Sequence, residues 1–549
     1  MSEIPIDYLP PKEYLPERIS PLLPEVRIPQ KINLGYLYLD RHIIEGKAQK
    51  IALLYKDQKI TFQELQRNVN RFANALREIG IGENDRFMLR SPNRPEFIVG
   101  VFACWKVGAI PVLVNHLLKA EEIVFRANDS EAKAILVSSD TFSEVEKALN
   151  RFRTVEKVII FDDPIKGYLF YNDLIHNQSD QTEIAETTKD DWMRIIYSSG
   201  TTGKPKAILN TIGDGVTSVA VPSHYLLNLT SQDVIGGHSA FTFAFGFFAI
   251  LFFGYNGCAL SIIDRFDPEF MFKTIEDHGI TFLRCVPTVY RMMLEVEDAE
   301  KRYNSSSLRL CQSAGEWLPG ATVNAWRQRF GVDLLDSLGS GEWNSIISTR
   351  VGTPANKLDS SGLPLPGVEC KIVDENFNEV PRGIPGELII RAPWGQYYWR
   401  RPDLQRKLVK NGWNRTGLIF VEDEDGYFWY KGRDDEMIVS SGFKIPAGDV
   451  EAALLAHNAV LEVAVSSSPD PIRGNIIKAF IVLKEGYNAS DQLAQELKEF
   501  VKEKIEVYKY PRQIEFVHKE SLPRTVTGKI QRFVLKEREM EKNQNKEGT

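Results

Sequence analysis

Short apolar runs alternate with amphipathic patterns along most of the chain. Runs bounded by turn residues predict strands at residues 87–89, 134–137, 158–161 and 280–285. Between them, apolar residues recur with helical spacing over residues 62–79, 95–108 and 120–127. In the first of these helices the apolar face consists of Leu65, Val69, Phe72, Ala73 and Leu76. Strands that alternate with helices at this spacing predict an α/β fold with largely parallel sheets.

The pattern changes beyond residue 433. Charged residues and a turn precede a predicted helix at 447–457, strands at 461–467 and 476–484, and a charged helix at 490–507. We predict two domains, a large layered α/β domain over residues 1–433 and a small mobile α+β domain over residues 434–549. The charged residues 536–549 are expected to fray at the end of the chain.

One segment, residues 235–263, is apolar enough to require a membrane test. A spanning helix needs about 20 predominantly apolar residues. Here His238, Asn256 and several glycines interrupt the run, and Asp264 and Arg265 follow it directly. We therefore predict a buried element that lines a pocket, and no membrane association.

Composition narrows the function class. The chain has 549 residues, of which 43% are hydrophobic and 26% charged, as in ordinary globular proteins. Its net charge of −7 argues against a nucleic-acid partner, because such proteins usually carry a basic face. The proline-rich residues 1–31 lack the apolar core of a signal peptide and predict an extended arm. We expect a cytoplasmic protein, and a homo-oligomer is compatible with the sequence.

Five cysteines are too widely spaced for a disulfide framework or a zinc site, so buried reduced thiols are expected. They are Cys104, Cys258, Cys285, Cys311 and Cys370.

The strongest chemical signal is a loop rich in glycine and hydroxyl groups that follows a predicted strand ending at Tyr197. It consists of Ser198, Ser199, Gly200, Thr201, Thr202, Gly203 and Lys204, before Pro205 and Lys206. Glycines let backbone N–H groups turn inward, and successive inward N–H groups bind anions such as phosphate. A Walker A loop would need glycine at position 198 and Ser or Thr at position 205, so that class of nucleotide enzyme is excluded.

This loop resembles the signature loop of the adenylate-forming superfamily, which includes acyl-CoA synthetases, aryl-adenylating enzymes, peptide-synthetase adenylation domains and luciferases. Further motifs follow in the family's order, so the resemblance extends over nearly the whole chain. It implies that ATP, with Mg²⁺, converts a carboxylic acid to an acyl-adenylate and pyrophosphate. A thiol then attacks the adenylate and AMP leaves.

Two central motifs supply the rest of the implied ATP site. The turn at residues 313–316 resembles the one that contacts adenine, and residues 336–342 resemble the motif whose final acid holds Mg²⁺. The resemblance thus assigns Glu342 to catalysis and to the metal, for which carboxylate oxygen is a suitable ligand. It assigns these residues to ATP binding: Gly315, Glu316, Asp336, Leu338, Gly339, Ser340 and Gly341.

Two positions depart from the family's pattern. Gly341 replaces the usual threonine, and Leu418 replaces the aspartate that accepts hydrogen bonds from the ribose of ATP. Loss of a charged hydrogen-bond partner costs about 1.5–3 kcal/mol, or roughly 10- to 150-fold in affinity. Glu422 and Asp423 are close in sequence and are candidates to replace the missing acid.

The C-terminal motifs assign further roles by resemblance. Arg433 contacts ribose or phosphate and assists catalysis, and Asp435 is the hinge about which the small domain rotates between half-reactions. Lys529 reaches into the active site during adenylate formation. The tunnel for the pantetheine arm of CoA is lined by Gly442, Phe443 and Lys444.

The acid is set by the segment that resembles the family's acyl pocket, to which we assign Ala244, Phe245 and Gly246, together with Gly339. This segment most resembles that of benzoate- and aminobenzoate-type ligases and of relatives that act on short acids. Acetate-specific enzymes place a tryptophan at the position of Gly339, so a larger acid is expected. Benzoate-type acids, butyrate and 4-hydroxybutyrate all fit.

Two alternatives remain open. One is an adenylating enzyme that loads a carrier protein, although no carrier domain follows the Lys529 motif and CoA is favoured. The other is a catalytically impaired nucleotide-binding relative, suggested by Gly341 and Leu418.

Overall fold

A computed structural model of the chain describes residues 8–18, 26–198, 205–433, 437–440, 443–470, 474–505, 507–524 and 530–547. The chain divides into two compact units. The first comprises Met1–Cys370 and Ile390–Asn414, and the second comprises Lys371–Ile389 and Arg415–Thr549. The second unit therefore includes two segments that precede residue 434, and the functional boundary at that residue stays a prediction.

A nine-stranded sheet organises much of the first unit. Its inner strands pair in parallel, and antiparallel strands close both edges. In spatial order the strands are Leu363–Pro364, Asn344–Ser348, Leu334–Ser340, Leu310–Ala314, Phe282–Arg284, Val234–Gly237, Ala259–Ile262, Ile51–Tyr55 and Gln58–Thr61.

The first unit also contains an eight-stranded sheet. Six neighbouring strands pair in parallel, and two antiparallel strands complete one edge. In spatial order the strands are Tyr397–Tyr398, Lys206–Thr211, Trp192–Ser198, Ile110–Leu113, Arg86–Arg90, Ala134–Ser138, Lys157–Phe161 and Leu169–Phe170. The predicted α/β fold with largely parallel sheets is confirmed.

Helices connect and cover these strands. In chain order they are Phe62–Glu78, Pro95–Val107, Ala120–Ser130, Phe142–Glu146, Tyr171–His176, Ile212–Pro222, Ala244–Asn256, Pro268–His278, Pro287–Leu294, Ala299–Arg302, Gly320–Phe330 and Pro402–Leu408. The first begins at a capping box, in which Thr61 and Glu64 bond each other's backbone N–H groups. Its whole predicted apolar face is buried, as the amphipathic pattern requires.

The apolar segment at residues 235–263 folds as a strand, a helix and a second strand. Its helix, Ala244–Asn256, is apolar on all sides and largely buried, which accounts for the missing amphipathic pattern. No helix among the described residues is long and apolar enough to cross a membrane.

The described part of the proline-rich arm packs on the first unit. Tyr8 lies edge-on to Trp399, and Arg18 forms an ion pair with the buried carboxylate of Asp214. Four of the cysteines are buried free thiols: Cys104, Cys258, Cys285 and Cys311.

The C-terminal part of the chain contains helices Ala447–Leu455, Asp491–Lys504 and Arg532–Glu547, and the paired strands Ile438–Ser440 and Phe443–Ile445. A three-stranded sheet is formed by Val460–Asp470, Gly474–Leu483 and Gln513–Phe516. Upstream, a five-stranded sheet comprises Glu369–Val373, Gly386–Arg391, Val409–Lys410, Trp413–Glu422 and Phe428–Arg433.

The expectation that the chain frays from residue 536 was wrong for the described residues. The last helix continues to Glu547, because Leu535 and Glu539 are buried against the rest of the unit. Glu539 accepts hydrogen bonds from Ser468 and Lys478, each at 2.9 Å. Composition alone concealed these two anchoring positions.

Candidate active site

The carboxyl ends of four parallel strands of the nine-stranded sheet share one edge. The strands are Val234–Gly237, Phe282–Arg284, Leu310–Ala314 and Leu334–Ser340. Ligands of open α/β sheets bind at this edge, since the connecting loops project there. The last strand is buried as far as Ser337 and half-exposed from Leu338 onward, so the predicted nucleotide-binding residues Leu338, Gly339 and Ser340 lie at an accessible edge, whereas Asp336 is buried.

The predicted adenine turn follows the strand Leu310–Ala314. Gly315 is exposed and adopts a φ of 94°, a left-handed conformation that favours glycine. The next residue, Glu316, accepts a hydrogen bond from Thr288 at 3.2 Å. The turn thus opens outward at the carboxyl edge, beside the strand that carries Ser340.

Glu342 lies against the base of the predicted phosphate loop. The strands Trp192–Ser198 and Lys206–Thr211 form an antiparallel hairpin in which Ser198 opposes Lys206. The Ser198 hydroxyl donates to Glu342 Oε1 at 3.4 Å, and the Tyr398 hydroxyl donates to the same oxygen at 3.2 Å. Burial, and next the Glu342 carboxylate, raises the pKa of Tyr398 well above its usual range.

The two glycines of the motif that leads to Glu342 differ in what surrounds them, side-chain ends at Gly341 and backbone at Gly339. A β-carbon on Gly341 would lie 2.9 Å from Cδ1 of Ile196 and 3.2 Å from Cδ1 of Ile208, so the family's threonine would press on two buried side chains. A β-carbon on Gly339 would lie 2.5 Å from the carbonyl oxygen of Asn344. Close backbone approach therefore requires glycine at position 339.

Asp336 is enclosed by the sheet. Its side chain is buried, and burial raises its pKa well above the usual range. The described residues provide no hydrogen-bond partner for Oδ1. Its backbone is fixed instead, since Thr349 donates to the Asp336 carbonyl and accepts from its N–H.

The predicted acyl segment forms the start of the helix Ala244–Asn256. A β-carbon on Gly246 would lie 2.1 Å from the carbonyl oxygen of Ala240, so this close turn requires glycine. Ala244 and Phe245 are half-buried, which leaves part of their surface open to a ligand.

Two buried arginines near this helix were missed by sequence reasoning. Arg284 donates to the carbonyl of Phe245 at 2.9 Å, and its guanidinium lies 4.2 Å from the ring centroid of the same residue. Arg194 lies 4.4 Å from the ring of Phe247, and none of the described residues accepts a hydrogen bond from its guanidinium. The sequence does contain a signal that could have identified these arginines, because each is a basic residue within or next to an apolar run that predicts a strand.

In the second unit, Leu418 and Arg433 oppose each other across the antiparallel strands Trp413–Glu422 and Phe428–Arg433. Their side chains therefore project on the same face of this strand pair. The acids proposed to replace the missing aspartate point elsewhere: Glu422 pairs with Arg382 at 2.9 Å, and Asp423 accepts from the Trp429 indole at 2.8 Å.

A different acid, Glu387, lies next to the turn that precedes Leu418, the position where the family has its aspartate. Glu387 accepts from the Gly417 N–H at 3.2 Å and from Arg415 at 2.5 Å. Glu387 was missed because it lies on another strand, far from Leu418 in sequence.

Several predicted residues fall outside the described part of the chain. They are residues 199–204 of the phosphate loop, the hinge Asp435, the tunnel residue Gly442 and the catalytic Lys529. The strand Phe443–Ile445 is described, but the side chains of Phe443 and Lys444 are not. At the base of the Lys529 segment, Arg524 and Ile530 form an isolated antiparallel bridge.

Family models match most of this architecture. Residues 40–398 match the model of the AMP-binding enzyme, and residues 449–529 match that of the AMP-binding enzyme C-terminal domain. The chain is 34% identical to the benzoate–CoA ligase of Thauera aromatica, over 93% of this chain and 97% of that protein.

The fold is also similar to those of solved CoA ligase structures. The anthranilate CoA ligase AuaEII in complex with anthranoyl-AMP matches with a TM-score of 0.87 and 32% identity, over 92% of this chain and 97% of that chain. A benzoate CoA ligase from Burkholderia xenovorans LB400 matches with a TM-score of 0.84 and 29% identity, over 92% of this chain and 100% of that chain.

Proposed function

The chain belongs to the AMP-binding enzyme family, and on that premise we propose how its residues divide the work of acyl activation. It is an ATP-dependent, AMP-forming acyl-CoA ligase. The enzyme first joins a carboxylic acid to AMP with release of pyrophosphate. It then transfers the acyl group to CoA with release of AMP.

The first half-reaction joins two anions that repel each other. Cations and N–H donors placed around the phosphates offset this repulsion as charge develops on the leaving pyrophosphate. We assign these roles to Lys529, Arg433, Lys204 and the backbone of residues 199–203, with Gly315 and Glu316 at the adenine. Lys529 acts in the first half-reaction, and Gly442, Phe443 and Lys444 line the CoA tunnel in the second.

Glu342 would hold Mg²⁺. Its carboxylate is half-exposed at the mouth of the phosphate-loop hairpin, where the hydroxyls of Ser198 and Tyr398 orient it. The described residues contain no cluster of three metal-binding side chains. One carboxylate suits Mg²⁺ bound with ATP, because this ion usually takes one or two protein carboxylates and completes its shell with phosphate oxygens and water. When bound, it supplies positive charge at the phosphates.

The contact between Ser198 and Glu342 carries this assignment, because it joins the phosphate loop to the proposed metal ligand. The test is the Mg²⁺ dependence of pyrophosphate release in Glu342→Gln, which should need a higher Mg²⁺ concentration and turn over roughly 100-fold more slowly. Glu369→Gln, at an exposed glutamate, is the matched control. Equal Mg²⁺ dependence in both variants would remove Glu342 from the metal site.

The acid is proposed to be small. The half-buried Ala244 and Phe245 and the constrained Gly246 form the acyl segment, and named relatives act on benzoate and anthranilate. Benzoate-type acids and short acids such as butyrate or 4-hydroxybutyrate are the candidates. We further propose a cytoplasmic location.

A pyrophosphate-release screen over these acids, with and without CoA, tests the proposal. Pyrophosphate release with any acid excludes an impaired nucleotide-binding protein. A CoA-dependent thioester, detected by mass, excludes an enzyme restricted to carrier proteins. Release of pyrophosphate without a CoA thioester would instead favour that alternative.

A further inference from the structure

Arg284 is a buried cation at the carboxyl edge of the nine-stranded sheet, immediately beside the acyl segment. It is 4% exposed. Its Nε donates to Gln312 Oε1, and Nη1 donates to the carbonyl of Phe245, both at 2.9 Å. The guanidinium lies 4.2 Å from the ring of Phe245 and 5.0 Å from that of Phe252.

No described carboxylate forms an ion pair or a hydrogen bond with Arg284. Burial lowers its pKa to about 9, while Tyr290 and Cys285 oppose that shift. The guanidinium therefore remains charged at neutral pH. A buried charge without a counter-ion is costly, and contacts with aromatic rings offset only part of that cost.

A chain of hydrogen bonds fixes the orientation of this guanidinium. Gln312, which accepts from Arg284, donates to Ser337 at 2.9 Å, and Ser337 contacts Ser348 at 2.8 Å. Ser348 in turn donates to the carbonyl of Asp336 at 2.7 Å. The network spans several strands and holds the charge in one position, as a recognition site requires.

Other polar atoms at the same edge also lack partners. Nδ1 of His238, Oγ of Ser239 and Oγ of Ser313 are buried without a hydrogen bond from any described residue. Burial lowers the pKa of His238 to about 4, so this ring is neutral at pH 7. Unsatisfied buried polar groups are rare in proteins, and a ligand is one explanation for a group of them.

We propose that Arg284 selects an acid that carries a second carboxylate at the end remote from the reacting one. This inference rests on the proposed function and narrows its substrate class. A second carboxylate supplies the counter-charge that the protein lacks, whereas a hydroxyl group supplies an acceptor without charge. Phe245 would contact the carbon skeleton between the two ends.

Selectivity of the wild-type enzyme is the first test. Succinate, 4-hydroxybutyrate and butyrate form one series of matched length, and terephthalate, 4-hydroxybenzoate and benzoate form another. In at least one series the diacid should exceed the neutral acid in kcat/KM by about tenfold or more, with the hydroxy acid between them. Equal or greater kcat/KM for the neutral acids in both series would overturn the inference and leave the ligase function standing. No turnover of any acid would overturn both.

The second test is Arg284→Met, which should abolish the preference for the diacid and retain or raise kcat/KM for the neutral acid. Arg284→Lys keeps the charge but not the planar fork, and should give intermediate selectivity. Arg265→Met is the matched control, because Arg265 also lies 4.2 Å from a phenylalanine ring but is exposed. Persistence of the diacid preference in Arg284→Met would contradict the inference. Turnover of the neutral acid shows that Arg284→Met is folded. If this variant does not fold, the selectivity of the wild-type enzyme alone tests the inference.

Discussion

At the scale of single residues, the proposed ribose contacts are where this chain differs most from its family's pattern. Leu418 cannot accept a hydrogen bond, yet the neighbouring turn is held by a carboxylate, Glu387, through the Gly417 N–H. Because Leu418 opposes Arg433 across the strand pair, the arginine proposed to contact the nucleotide lies beside the position where the family has its aspartate. Glu387 is therefore the candidate to take over the role of the missing aspartate.

Two substitutions distinguish an enzyme that lacks the ribose acceptor from one in which Glu387 supplies it. If the acceptor is absent, Leu418→Asp should lower the KM for ATP by roughly tenfold, whereas an unchanged KM would mean that another residue already serves. In that second case Glu387→Gln should raise the KM for ATP by a similar factor. Glu379→Gln, at an exposed glutamate of the same unit, is the control for Glu387. The measurement is pyrophosphate release over a range of ATP concentrations. If neither Leu418→Asp nor Glu387→Gln changes the KM for ATP, neither position provides the acceptor for the ribose.

A second residue-scale consequence concerns acid stability. Burial lowers the pKa of His42 to about 4, although its hydrogen bond to the Gly254 carbonyl partly opposes the shift. Arg41, Lys47 and Glu45 are the charged groups that face it. Between pH 6.5 and 4 the unfolded chain would bind a proton that the folded protein does not bind, so stability falls as the pH falls.

His42→Gln should remove this contribution. The shift corresponds to about 3 kcal/mol lost by pH 4, so the variant should lose less unfolding free energy than the wild type between pH 6.5 and 4. Urea unfolding at several pH values provides the measurement. His176→Gln, at an exposed histidine, should leave the wild-type slope unchanged, and an unchanged slope in His42→Gln would contradict the prediction.

At the scale of elements, helices and strands with strong local patterns were predictable to within a few residues. The helix predicted at 62–79 is found at Phe62–Glu78, and the strand predicted at 134–137 is found at Ala134–Ser138. Contacts between distant segments were not predictable. Glu387 reaches the turn at Gly417 only through strand pairing, and nothing in local sequence marks that approach.

The C-terminal helix, Arg532–Glu547, likewise depends on contacts with distant segments that could not be predicted from the sequence. Its charged composition suggested fraying, but Glu539 is 5% exposed and contacts residues of a distant hairpin. Although burial opposes ionisation, hydrogen bonds from Lys478, Lys542 and Ser468 hold the pKa of Glu539 below its usual range. The buried contacts of this helix with a distant hairpin are therefore not visible in its composition.

Glu539→Ala should destabilise the protein by about 1.5–3 kcal/mol, because it removes the hydrogen bonds from Lys478 and Ser468 to a charged acceptor, while Lys478 keeps its ion pair with Glu515. The double variant Glu539→Leu with Lys478→Met should recover only part of that loss, because Glu515, which also pairs with Lys478 at 2.8 Å, loses that partner. Glu537→Ala, at an exposed position of the same helix, should stay within about 0.5 kcal/mol of the wild type. Chemical unfolding measures all three, and equal stability of Glu539→Ala and Glu537→Ala would contradict the anchoring role.

At the scale of the whole molecule, the two half-reactions place different demands on one enzyme. Adenylate formation needs positive charge where pyrophosphate leaves, whereas thioester formation needs an open path for the thiol of CoA. The proposed groups for these steps, Lys529 and the tunnel residues Gly442, Phe443 and Lys444, all belong to the small domain predicted over residues 434–549. We propose that rotation about Asp435 presents each group in turn, as in hinge switching of a rigid unit.

Lys529→Ala should separate the two steps. Without its cation the variant should form adenylate at least about 100-fold more slowly, since removal of one preorganised donor commonly costs 10²- to 10³-fold. Thioester formation from supplied acyl-adenylate and CoA should remain close to the wild-type rate, because the lysine is proposed to act only in the first half-reaction. Lys519→Ala, at an exposed lysine of the same C-terminal region, should leave both rates unchanged. Single-turnover measurements of each step decide the matter: equal loss in both would mean that Lys529 supports the fold or both half-reactions, and the assignment of one group to each step would fall.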